Sequence, residues 1–285
     1  LTIALAGAFI VVGFATLQFF LPPDILKYIG YSEDTIVPYL TVDKNPDYVR
    51  VNSTLRGPNP LGAYAGMILG LITAALVRGR INLKSKKQLI GTLILGVCSV
   101  TALWISYSRS ALFAAILTVL IVLLLTTLRK LSYRAWVTSS VIVFALVGAL
   151  IAGRDSDFVS NVILHENPAG GSSISSNDVH ISSLQYGVGQ LLREPLGSGI
   201  GSTGSASLFS DTPIVVENQY LFIGHETGWL GLAIFVTLMA LIFLRLWANR
   251  RDWLSLGVLA SGVGLSAIGI LLPVWVDDTV SIVWW

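Results

Sequence analysis

The sequence predicts an all-α fold: a polytopic transmembrane helical bundle with a long extracytoplasmic loop that contains a short surface helix. Three observations lead there. Apolar residues make up 54% of the chain and charged residues only 12%, about half the charge of an ordinary water-soluble domain, with a mean hydropathy of +0.75. Uncharged apolar runs of about 20 residues, the length needed to cross roughly 30 Å of hydrocarbon, recur along the chain. Basic residues gather in alternate connections between those runs, as they do in short cytoplasmic loops.

Taken in order, seven complete spans are expected at about 2–21, 60–77, 89–107, 110–128, 136–153, 218–244 and 253–272, with a partial eighth at 274–285. The first run lacks a basic leader and a small-residue cleavage site, so it reads as a span rather than a removable signal. The chain starts at Leu1 without a Met and stops at Trp284 and Trp285 inside an apolar run. Residues 1–285 therefore read as a single transmembrane domain, a fragment truncated at both ends. Arg78, Arg80, Lys84, Lys86 and Lys87 fall in one connection, Arg129, Lys130 and Arg134 in a second, and Arg245, Arg250 and Arg251 in a third. Together they hold 11 of the 18 basic residues, which sets those connections in the cytoplasm. Lys27, Lys44, Arg50, Arg56, Arg109, Arg154 and Arg193 fall on the other side, and topology does not account for them.

Two extracytoplasmic loops follow from this layout, 22–59 and 154–217. Pro22, Pro23, Pro46 and Pro58 with interspersed aromatic residues make the first an ordered irregular loop. In the second, Ile181, Leu184, Val188 and Leu191 recur at helical spacing, with Asn177 or Asp178 as N-cap and Pro195 as a stop. That pattern predicts a short helix at the membrane surface. The lone Cys98 sits in an apolar run, which excludes an intramolecular disulfide and argues against a Cys-based metal site. A net charge of +2 is used up by topology and does not by itself identify an anionic partner; no nucleic acid is expected.

The outward layer collects Arg50, Arg56, Arg109, His180, Glu217 and Asn218, with Asp277 and Asp278 at the same level. Several arginines in a partly desolvated place serve either a phosphate-bearing ligand, which the planar guanidinium grips bidentately, or a structural ion-pair network. Arg109 is the sharpest of them. It sits in a turn too short to let it reach far into water; it is either a snorkelling anchor or an anion ligand, and the hydroxyls of Ser106, Ser108 and Ser110 favour the anion.

Glu217 precedes a span and is either a helix-start partner or a reacting carboxylate. Asn218 and His225 share a helix face, whereas Glu226 lies roughly 13 Å deeper than Glu217 at 1.5 Å per residue, where a buried hydrogen bond locking neighbouring spans is its expected role. The glycine-rich run 195–204 matches no nucleotide-binding fingerprint and is assigned to tight turning. His165 and Glu166 have no third ligand at metal-site spacing, so no metal is expected.

In order and spacing, several stretches resemble the O-antigen ligase and polymerase family of bacterial membrane glycosyltransferases. They are Arg56-Gly57-Pro58-Asn59-Pro60-Leu61-Gly62, Ser108-Arg109-Ser110, Pro195-Leu196-Gly197-Ser198-Gly199-Ile200-Gly201, Glu217-Asn218-Gln219-Tyr220-Leu221 and Glu226-Thr227-Gly228-Trp229-Leu230-Gly231. The resemblance covers most of the chain from about Val49 onward. It implies transfer of a glycan from an undecaprenyl-diphosphate carrier to a glycan, lipid or protein acceptor hydroxyl. The setting implied is the outer face of the bacterial cytoplasmic (inner) membrane, among membrane lipids, without cofactor, metal or nucleotide sugar. By resemblance Arg109, with Arg56, Arg50 and His180, binds the diphosphate, and Glu217, His180 and Asn218 form the catalytic set. Many members carry His where this chain has Glu217, and often Arg where it has His180, so the base stays open between Glu217, His180 and His225. The competing expectation is a transporter or flippase of anionic lipid-linked substrates, in which the same arginines bind without chemistry.

Overall fold

The computed structural model describes residues 2–32, 35–42, 45–127, 176–209, 213–276 and 278–285; the expected span 136–153 and the pair His165 and Glu166 lie outside them. The described chain is mostly helical. In order it forms α1 (Thr2–Gln18), β1 (Tyr39–Val42), β2 (Asn45–Val51), α2 (Pro58–Val77), α3 (Lys86–Ile105), α4 (Arg109–Thr126), α5 (Ser176–Arg193), α6 (Gln219–Ala248), α7 (Trp253–Ile268) and α8 (Asp278–Trp284), with short 3-10 turns at Ile25–Ile29, Gly204–Phe209 and Val274–Val276. Four of these, α2, α3, α4 and α6, are long and apolar enough to cross a membrane by length and composition; α1 and α7 are apolar but shorter.

Polarity runs inside out relative to a water-soluble protein. Gln18, Asn52, Ser53, Ser99, Gln219 and His225 are buried, while Ile10, Leu93, Val97, Phe113, Ile116, Ile234, Leu241 and Leu244 are exposed. In the most hydrophobic stretch of α6 only 6% of residues are buried. An apolar belt of this kind is stable where its surroundings are hydrocarbon.

Between such helices the hydrophobic effect gives little discrimination, so close backbone approach decides the packing. Gly62, Gly66 and Gly70 recur every four residues on α2 and face Ala111, Ala115 and Thr118 of α4. A Cβ on Gly62 would stand 2.7 Å from the Ala111 methyl, and one on Gly66 would stand 3.1 Å from that of Ala115. On the third side α7 closes against both, with the Thr118 hydroxyl donating to the Ala260 carbonyl at 3.3 Å.

The helix ends follow local chemistry. Pro58 opens α2 behind an extended Gly57. At its other end Gly79 is left-handed (φ 66°), Gly79 N–H donates to Leu76 O and Arg80 N–H to Ala75 O, the paired bonds of a glycine C-cap. Asp252 caps α7 by accepting from Ser255 N–H at 2.9 Å.

Segment 22–57 is more regular than the irregular loop expected from its prolines. It carries an antiparallel pair in which Tyr39 faces Val51, Leu40 faces Arg50 and Thr41 faces Val49, with a register shift after Thr41. Pro46 is tolerated because a two-stranded ribbon has only edge strands. Behind the ribbon, Ser53 N–H donates to Gln18 Oε1 at 2.8 Å and Ser53 Oγ to Val11 O at 2.6 Å, fixing it on the end of α1. The run expected to begin an eighth span turns at Val274–Val276 and continues as α8, whose Trp284 Nε1 donates to Val258 O of α7 at 3.0 Å.

Candidate functional site

One end of α2, α4, α5, α6 and α7 surrounds a cavity of about 730 Å³. Arg50 enters from β2 and Asn59 from the first turn of α2. Tyr107, Ser108, Arg109, Ser110 and Phe113 come from the α3–α4 turn and the start of α4, and Ile181 and Leu184 from α5. Glu217 stands just before α6, and Ala267, Leu271 and Leu272 lie at and beyond the end of α7. Three residues singled out in the sequence, Arg50, Arg109 and Glu217, are thus brought together from positions far apart in the chain.

The α3–α4 turn is built by its serines. Ser106 Oγ donates to Leu103 O at 2.7 Å and accepts from Ser108 N–H at 3.3 Å, and Ser108 Oγ caps α4 by accepting from Ala111 N–H at 3.4 Å. Tyr107 between them adopts φ 47°, a left-handed conformation that costs a non-glycine residue roughly 1 kcal/mol. The turn sets Arg109 as the first residue of α4, a helix with no acidic residue in its first turn. A cation there opposes the helix dipole, whereas an anion at the same place is attracted by the dipole and the guanidinium together.

Arg50 is tied to this turn: its Nε donates to Ser106 O at 2.8 Å and its Nη2 to Asn59 Oδ1 at 2.6 Å. Burial pushes the Tyr107 phenol above its ordinary pKa, and the nearby Tyr48 adds to the effect; their rings meet edge to face at 6.2 Å. The phenol therefore stays protonated and able to donate throughout the physiological range.

Across the cavity, α5 holds the approach to α6. Ser183 Oγ accepts from Glu217 N–H at 3.0 Å and donates to Val215 O at 3.3 Å, which fixes the backbone of the half-buried Glu217 at the cavity. Asn218 is committed elsewhere. Its Oδ1 accepts from Tyr220 N–H and Leu221 N–H at 2.9 and 3.0 Å, and its Nδ2 donates to Ile270 O at 2.7 Å, so it caps α6 and joins it to the end of α7. Asn218→Ala should lose the cap and leave a carbonyl unsatisfied, lowering stability by about 2 kcal/mol. Thermal unfolding in detergent would register this as a lower midpoint, and an unchanged midpoint would refute the capping role.

Arg56 is exposed in the turn before α2 and is not among the residues lining the cavity. His180 lies in the first turns of α5, next to Ile181; its side chain is outside the described residues. His225 is 1% exposed inside α6 and does not line the cavity. Sequence reasoning did not single out Tyr107, whose place here depends on a backbone conformation, or Asn59, whose partner is a residue of the hairpin.

Below the cavity, α6 is interrupted at Gly228 (φ 70°, ψ −171°). Loop 195–204 is fitted against the break: Trp229 N–H donates to Pro195 O at 2.9 Å, Ser198 N–H to His225 O at 2.7 Å and Gly199 N–H to Glu226 O at 3.1 Å. Glu226 Oε1 accepts from Gly201 N–H at 2.8 Å, so the half-buried carboxylate ties α6 to this loop and not, as the sequence suggested, to a neighbouring span. Gly197, Gly199, Gly201 and Gly204 all have positive φ, which is the tight turning the sequence pointed to.

No family model matches the chain, and no curated protein matches it.

Proposed function

We propose that this protein is a membrane glycosyltransferase that moves a glycan from a polyprenyl-diphosphate carrier to an acceptor hydroxyl at the extracytoplasmic face, in the manner of O-antigen ligases and polymerases. The observation that carries the reading is the convergence of Arg50, Arg109 and Glu217 on one cavity at the end of the apolar helices. At that level a lipid diphosphate presents its charge while its prenyl chain stays in hydrocarbon.

In the proposed reaction the acceptor oxygen attacks the anomeric carbon and the bond from that carbon to the diphosphate oxygen breaks. Arg109 and Arg50 stabilise the charge that grows on the leaving group, and the neutral Tyr107 phenol donates a hydrogen bond to it. Glu217, which lines the same cavity, accepts the proton of the attacking hydroxyl. Among the candidate bases with described side chains, only Glu217 faces the cavity, since His225 is sealed inside α6.

The break at Gly228 is the feature that most favours the carrier reading, because transporters use interrupted helices. In such proteins the freed backbone groups bind the cargo or ion. Here the carbonyls of His225 and Glu226 already accept from Ser198 and Gly199, which leaves the break a structural joint.

The test uses the full-length protein in vesicles with a polyprenyl-diphosphate glycan and a hydroxyl acceptor, read by mass spectrometry. Expected products are a new glycoside and the free polyprenyl diphosphate. Appearance of unchanged donor in the opposite leaflet, with no glycoside, would establish transport instead. Glu217→Gln, which keeps shape and removes the basic oxygen, should slow turnover by roughly 10²–10⁴-fold. Turnover near that of the unaltered protein would shift the base elsewhere.

A further inference from the structure

A second cavity, of about 390 Å³, opens between α1, α2 and α3 at the end opposite the Arg50–Arg109 site. Leu5 and Phe9 of α1, Leu71 and Ile72 of α2 and Leu95 of α3 give it apolar walls, and Arg80 and Lys87 stand among its lining residues where α2 ends and α3 begins. No acidic residue lines it. We infer that this groove is a binding site for an anionic phospholipid, with acyl chain between the helices and phosphate between Arg80 and Lys87. The inference rests on the membrane setting and is independent of the chemistry proposed for the first cavity.

Size decides against a helical segment as occupant. A bare helix is about 10 Å across, so a volume of 390 Å³ accommodates only about one turn of it. An acyl chain is far thinner and fits lengthwise. Charge decides the headgroup: Arg80 and Lys87 are both exposed, and among the described residues neither side chain has a hydrogen bond or ion pair. Basic pockets between transmembrane helices at this level recognise anionic headgroups.

The cations are also held in position. The glycine C-cap of α2 sets the backbone of Arg80, and Gln88 Oε1 accepts from Asn82 N–H at 2.8 Å, fastening the connection that carries Arg80 to the first turn of α3, where Lys87 lies. Arg78, in the same connection, is used differently: its Nη2 donates to Arg250 O at 3.0 Å. Lys84 and Lys86 are exposed and line no part of the groove. Position, and not only charge, therefore separates Arg80 and Lys87 from their neighbours.

The experiment follows lipid retention by native mass spectrometry on the full-length protein, with phosphatidylglycerol and phosphatidylcholine as probes. Phosphatidylglycerol should be retained by the unaltered protein and by the double variant Lys84→Gln/Lys86→Gln. In Arg80→Gln/Lys87→Gln its retention should fall on the order of tenfold or more, with phosphatidylcholine unaffected. Gly91 also lines the groove, and a Cβ there meets nothing within 4 Å, so the side chain of Gly91→Leu starts in open space and should occupy the groove and displace the lipid. Equal losses in the two double variants would reduce the effect to general surface charge and overturn the proposal. So would equal retention of phosphatidylcholine, or unchanged retention in Gly91→Leu. Should Arg80→Gln impair folding, the exposed Lys87→Gln alone carries the same comparison.

Discussion

Arg109→Ala is expected to lower glycan transfer by roughly 10²–10³-fold while leaving the protein folded. The side chain is half-buried at the first position of α4, facing the cavity, and the turn that places it is held by Ser106 and Ser108 through bonds that do not involve the guanidinium. Removing it takes away the proposed donor to the leaving diphosphate without removing the cap of the helix. Arg109→Lys should recover only part of the loss, because an ammonium restores the charge but not the planar pair of donors. The measurement is single-turnover transfer in vesicles, with circular dichroism and gel-filtration profile as controls for folding. A well-folded alanine variant with undiminished turnover would end the assignment of the cavity as a diphosphate site.

Gly228→Ala should have the largest effect on stability. The residue combines φ 70° with ψ −171°, a region open in practice only to glycine. A Cβ there would also stand 2.5 Å from both the carbonyl carbon of Leu196 and the oxygen of Pro195. Both are backbone atoms and cannot rotate away. From the other side, a Cβ on Gly197 would stand 2.5 Å from Gly228 N, so the two glycines are pressed back to back. Strain and overlap together should cost about 3 kcal/mol or more. A thermal-shift assay in detergent would show this as a large fall in midpoint or as loss of monodisperse protein; an unaltered midpoint would mean that the loop is not seated on the break.

The long helices were legible in the sequence because a single property, an uncharged apolar run of sufficient length, encodes each of them. The spans expected at 60–77, 89–107, 110–128 and 218–244 correspond to α2, α3, α4 and α6 within a few residues. The helix read from Ile181, Leu184, Val188 and Leu191 also forms, and Pro195 follows its end. The layer of candidate residues was legible in part: Arg50, Arg109 and Glu217 share a cavity, whereas Arg56 stays outside it. What escaped depends on partners far away in the chain. The ribbon at Tyr39–Val51 needs a register that no short window carries. The glycine-rich run 195–204 and the Glu226–Gly231 motif were visible separately, but their contact with each other is tertiary. Asn218 looked like a candidate for chemistry because nothing local shows that Ile270 takes its amide.

The cavity has two walls of different make. On one side α2 and α4 touch along a ladder of glycine and alanine, so Asn59 and the turn carrying Arg109 cannot shift without displacing two whole helices. On the other, Glu217 stands on a connecting segment whose backbone is held by Ser183 of α5. On the proposed chemistry, the half that recognises the carrier is a fixed jaw, and the half that meets the acceptor is the part where altered specificity can arise by replacing a few loop residues, leaving the grip on the carrier intact.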